Sequence, residues 1–114
     1  MTGVDWVAEF SGAITVCDKQ GIIVYMNKKS EQGFGGNLVG QNVLDCHPEP
    51  ARAKLAKLLE TKAANTYTIE KSGVKKLIHQ APWFNNGEYA GFVELSIEIP
   101  FEMPHFVRAP ESAE

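Results

Sequence analysis

The sequence predicts an α+β domain built on five antiparallel strands, with short helices and one longer helix. Three observations carry this. Two β-rich runs flank an Asp18-Lys19-Gln20-Gly21 turn, a leucine-striped helical run occupies the middle of the chain, and three runs of period two follow it, separated by Gly-bearing turns.

Each element has a local reason. Thr2 to Phe10 sets Trp6, Val7 and Phe10 at helical spacing behind a Thr2 cap, which predicts an amphipathic N-terminal helix within residues 1–12. Its apolar edge needs cover. Ala13–Cys17 and Ile22–Met26 are β-rich, and Gly21 between them is free to take positive φ, so the pair reads as a hairpin. Asn27 stands where its side chain can accept from the amides of a Lys28–Gln32 turn, and Gly33, Gly35 and Gly36 end that helix early. Asn37 to Asp45 is mixed and reads as broken helical turns.

The run from Ala51 to Ala63 carries Leu55, Leu58 and Leu59 on one stripe, with Lys54, Lys57 and Lys62 off it, so it predicts an amphipathic helix over a core. Pro48 and Pro50 fit its first turn, where amides lack intrahelical acceptors, and Glu49 suits the positive end of the helix dipole. Thr66–Glu70, Val74–Trp83 and Glu88–Ile99 then form a meander. In the last strand Val93, Leu95, Ile97 and Ile99 share one face, which predicts that face to be the buried one. The middle strand alternates poorly: either Leu77, His79 and Ala81 or Val74, Ile78 and Gln80 look inward. Residues 100–114 hold three prolines and read as an extended surface tail.

A chain of 114 residues with 44% hydrophobic content has room for one core, here residues 13–99. Its net charge of −3 does not supply the basic face that phosphate backbones need, so nucleic acid is not expected as a partner. The start, MTGVDWVAEF, lacks a signal-peptide pattern, and no window approaches ~20 apolar residues; the expectation is a cytoplasmic protein off the membrane. Two cysteines, Cys17 and Cys46, are too few for a disulfide framework and lack zinc spacing, so no metal site is expected. No serine has an ordered base and acid beside it, and no enzyme is expected.

The order of elements resembles that of a PAS domain. Asp18-Lys-Gln-Gly21-Ile-Ile-Val-Tyr-Met-Asn27 matches that family's hairpin and Asn-capped helix, Leu38-Val39-Gly40-Gln41-Asn42 precedes the longer helix as it does there, and Asn86-Gly87-Glu88-Tyr89-Ala90-Gly91-Phe92-Val93 matches its last turn and strand. The likeness covers roughly residues 5–99. It implies the PAS fold, a five-stranded antiparallel sheet with short helices and one longer helix over one face, and a pocket between that helix and the sheet. It also implies a sensory or signalling role. The family's usual exit, Asp-Ile-Thr into a coiled coil, is replaced by Ile97-Glu98-Ile99-Pro100, and the ending resembles that of small stand-alone PAS proteins, so output is expected in trans through a partner protein.

Cys46 and His47 stand side by side ahead of the longer helix, which raises the question of a cofactor. Pro48-Glu49-Pro50-Ala51-Arg52 is similar to the opening of the haem-bearing helix in oxygen-sensing PAS kinases, whose ligating His lies three residues past the Arg. Position 55 is Leu, which cannot donate to iron. Flavin photosensors of this fold read Gly-x-Asn-Cys, and after Gly40-Gln41-Asn42 comes Val43, so haem and a flavin photoadduct are both disfavoured. His47 as an unconventional ligand, or Cys46 as a redox thiol, stays as an alternative. The expected binding residues, following the resemblance, are Leu55, Leu59, Tyr67, His79 and Leu95, with His47 beside them. A homodimer through the N-terminal helix is expected from the Trp6-Val7-Phe10 edge. The alternative class is a ligand-free adaptor whose own side chains fill the pocket.

Overall fold

A computed structural model describes residues 4–110. Its elements are β1 (Ala13–Asp18), β2 (Ile23–Met26), α1 (Lys28–Phe34), a 3-10 turn at Val43–Cys46, α2 (Ala51–Thr61), β3 (Asn65–Lys71), β4 (Val74–Asn85) and β5 (Glu88–Ile99). The five strands make one antiparallel sheet in the order β2-β1-β5-β4-β3, so the hairpin and the meander join where β1 pairs with β5.

Local chemistry explains the joints. Asp18 Oδ1 accepts from the Gln20 and Ile22 amides at 2.9 and 3.0 Å, and Gly21 takes φ 86°, which closes the first hairpin. Asn27, 1% exposed, caps α1 by accepting from Ser30 N at 3.0 Å and also accepts from Ile14 N at 2.9 Å. Its amide nitrogen donates to the carbonyls of Val7 and Gly12 at 3.0 and 2.9 Å. One side chain thus fastens three segments.

That fastening explains a correction. The expected N-terminal helix is absent among the described residues; residues 6–9 form a turn instead. The Val7 carbonyl accepts from Phe10 N at 3.3 Å and from Asn27 Nδ2 at 3.0 Å, and the Ala8 carbonyl accepts from Lys28 N at 3.0 Å, so the segment closes as a turn tied to the start of α1. Thr2, the expected cap, lies outside the described residues. Trp6 and Phe10 still meet edge to face at 5.9 Å, and Trp6 is 67% exposed.

The strand registers set two faces. On the inner face a row crosses all five strands as Met26, Thr15, Glu94, Gln80 and Asn65, flanked by a second row that includes Ile23, Cys17 and Phe92. Helix α2 lies over this face, with Leu55 buried at 6% exposure; burying one leucine contributes roughly 2 kcal/mol. Lys54 over the Tyr67 ring and Lys62 over the Tyr89 ring, 5.8 and 4.9 Å from the centroids, staple its two ends. Buried Ile78 and Gln80 decide the β4 question in favour of the Val74, Ile78 and Gln80 face.

The β5 expectation is corrected. The face under α2 carries Phe92, Glu94 and Ser96, whereas Val93, Leu95 and Ile97 lie half-buried on the outer face beside Val16, Leu77 and Ala81. Glu94 is accommodated on that face because Gln80 donates to it, and among the described residues no buried side-chain polar atom lacks a partner. Residues 101–110 run exposed and without regular structure, with Phe106 68% exposed.

Candidate functional site

Two hollows adjoin α2. The first is an inner cavity of ≈20 Å³ bounded by Thr15, Cys17, Phe34, Leu55, Leu59 and Phe92. That is space for one water molecule, given that about one probe sphere of 10–15 Å³ holds a water. The second is an open groove of ≈340 Å³ between the first turns of α2 and strands β3 and β4, lined by His47, Pro50, Ala51, Lys54, Leu55, Asn65, Tyr67 and Gln80. Its volume lies at the lower end of the ~300–1,000 Å³ typical of small-molecule sites.

Polar groups along the groove wall form a directed chain. Asn65 Nδ2 donates to Gln80 Oε1 at 3.2 Å, and Gln80 Nε2 donates to Glu94 Oε2 at 2.8 Å, so the chain runs from the groove into the sheet. Glu94 lies behind Gln80, on the inner cavity and not on the groove. Burial and the Glu94 charge both push the Tyr67 phenol up, which keeps it neutral. His47 Nδ1 lies 2.8 Å from the Val43 carbonyl. A carbonyl only accepts, so Nδ1 carries a proton and donates it there. The groove side thus offers an apolar wall, an aromatic ring, one ammonium and an imidazole.

The six expected binding residues separate. Leu55 and His47 border both hollows, Leu59 borders the inner cavity, and Tyr67 borders the groove. His79 and Leu95 do not join them. Both lie on the outer face as direct cross-strand partners, and His79 Nδ1 is engaged by Thr66 Oγ1 at 2.8 Å. Period two forces this, because Gln80 and Glu94 point inward and their chain neighbours must point out. Lys54, Asn65, Gln80 and Glu94 were not expected. A signal existed in the helical spacing of Lys54 beside Leu55, but a lysine next to a core stripe reads first as solvated.

The cavity beneath α2 does not suit a haem or a flavin. A macrocycle or a flavin ring does not fit a one-water cavity, and Leu55 at its roof offers no donor to a metal. Among the described residues no three His, Cys, Asp or Glu side chains converge on a common point. Cys46 ends the 3-10 turn, and burial followed by the Asp45 charge pushes its thiol up, opposite to the lowering that a redox-sensing thiolate needs.

No protein-family profile matches this chain, and no curated protein matches it. Solved structures do. A sensory box sensor histidine kinase from Vibrio cholerae superposes with a TM-score of 0.65 at 14% identity, over 86% of this chain and 89% of that one. The PAS domain of the histidine kinase ThkA gives a TM-score of 0.61 at 24% identity, over 75% and 97%. The PAS domain of Bordetella pertussis BvgS gives 0.63 at 17% identity, over 82% and 81%. No helix among the described residues is long and apolar enough to cross a membrane. With five antiparallel strands in the order β2-β1-β5-β4-β3, α2 across one face and these superpositions, the chain has the fold of a PAS domain.

Proposed function

We propose that this chain is a non-catalytic sensory or signalling module that takes a small molecule in the groove beside α2 and signals in trans through the outer face of its sheet. The observation that carries this reading is the sharing of strands between the two surfaces. Gln80 lines the groove, while its neighbours His79 and Ala81 lie on the outer face; Glu94 receives the Gln80 bond, while Val93 and Leu95 lie outside. A ligand that competes for the Asn65 or Gln80 amides rewrites bonds on β4 and β5, and the same backbones carry the contact surface.

The outer face supports a second copy as the partner. Val16, Leu77, Ala81, Val93, Leu95 and Ile97 form a half-buried apolar surface, with Phe10 and Ile97 crowding the space over Gly12 at its margin. An apolar face of this kind can pair with itself about a two-fold axis. Native mass spectrometry of protein purified without additives is the test. The expected result is a homodimer carrying a small-molecule adduct, with the adduct lost in Ala51→Trp, which fills the groove, and the dimer lost in Leu95→Glu.

A ligand-free adaptor is the second reading, and the ≈20 Å³ inner cavity favours it, since the chain's own side chains fill the space beneath α2. Bare protein in the same spectrum, with the dimer still lost in Leu95→Glu, selects the adaptor.

A further inference from the structure

The groove's charge and shape specify a class of ligand. Its wall carries one ammonium, that of Lys54, and no carboxylate among the described residues, although the chain as a whole has net charge −3. The two ion pairs of the described residues use Lys28 with Glu9 and Arg52 with Asp45, so Lys54 is left with the Tyr67 ring face, 5.8 Å away, and no anion. Glu94 has its carboxylate engaged by Gln80 and lies on the inner cavity, not on the groove wall, although its charge reaches the Tyr67 phenol. An uncompensated cation at the mouth of a part-apolar slot complements an anion with an apolar body. The slot between Leu55 on the helix and Tyr67 on the strand has one aliphatic and one aromatic wall, which favours a flat body.

We propose that this groove binds a small planar aromatic carboxylate, its carboxylate held by Lys54 and its ring lodged between Leu55 and Tyr67. This rests on the reading of the groove as a ligand site, and the test separates the two. Benzoate serves as the probe, with benzamide as its neutral isostere, acetate as a carboxylate without a ring, and toluene as a ring without a polar group. Binding to the full chain is followed by two-dimensional NMR shifts of the Lys54, Asn65, Tyr67 and Gln80 amides.

Benzoate is expected to shift these amides and to bind roughly tenfold tighter than benzamide, the factor that a charge-assisted hydrogen bond carries. Acetate is expected to leave them unmoved at equal concentration. Lys54→Met should abolish the preference for benzoate over benzamide, while Lys57→Met, on the same helix but off the groove, should keep it. Lys54 is exposed, so neither variant threatens folding. Equal affinity for benzoate, benzamide and toluene overturns the carboxylate inference and leaves the ligand-site reading standing. Absence of shifts with every probe overturns both. A benzoate preference that survives Lys54→Met places the anion elsewhere and refutes the assignment.

Discussion

Gln80 donates from Nε2 to Glu94 Oε2 at 2.8 Å beneath α2, joining β4 to β5 side chain to side chain on the face where the groove opens. Gln80 is 6% exposed, so its bonds are made away from water and their loss is felt. Gln80→Leu strips the Glu94 carboxylate of its protein donor and is expected to cost about 2 kcal/mol. The double variant Gln80→Leu with Glu94→Leu should recover most of that, because no charge is then left unpaired. Urea midpoints at constant slope measure both.

Asn27 makes four side-chain hydrogen bonds that tie three segments together. Asn27→Ala is expected to lower stability by about 3 kcal/mol, combining a lost cap with buried groups left unsatisfied. It should also release the Val7 carbonyl, and limited proteolysis should then cut within residues 4–12 faster than in the parent chain.

Two glycines predict opposite signs. A Cβ on Gly91, whose φ is +149°, would lie 2.0 Å from the Cys17 carbonyl oxygen, so Gly91→Ala must push β1 and β5 apart and should cost about 3 kcal/mol. The same carbonyl receives Trp83 Nε1 at 3.0 Å, so indole fluorescence should report the displacement. Gly33 lies within α1, with open space where its Cβ would go and no positive φ. Gly33→Ala should stabilise the fold by roughly 0.5–1 kcal/mol.

Both thiols titrate late. Burial is the main cause at Cys17, aided by Asp18, and burial then Asp45 act at Cys46. A raised folded value means that the native state holds its proton longer than the unfolded chain does. The resulting stability is fully present below the unfolded thiol value of ~8.5 and is lost as pH rises from there through the folded values. Alkylation by iodoacetamide should therefore show a midpoint above the ordinary thiol range at Cys46, with Cys17, 4% exposed, slower still. A Cys46 midpoint below neutral pH would revive the redox-sensor alternative.

Much of the fold was legible because its signals are local. An Asn after a β-rich run, a Leu55, Leu58 and Leu59 stripe, and Gly-bearing turns each act through neighbours a few residues away, and the elements fall within one or two residues of where those signals put them. What failed was non-local. The Val7 and Ala8 carbonyls are tied to Asn27 and Lys28, about twenty positions on, which no local window contains. The β5 face was misassigned because Glu94 and Ser96 look like solvent-facing residues until Gln80 is known to sit opposite Glu94. That error carried Leu95 into the expected site, and the undecided face of β4 left His79 there beside it. Leu55, Leu59 and Tyr67 were placed by the helix stripe and the resemblance, whereas the Lys54 environment needs the helix and β3 brought together in space.

The proposed coupling of groove to outer face is tested most directly by the self-association constant of the parent chain and of Ala51→Trp, obtained by sedimentation equilibrium. Filling the groove is predicted to change that constant by about fivefold or more, the lower range of coupling between linked sites. Identical constants, with the tryptophan seated against Tyr67, would contradict it.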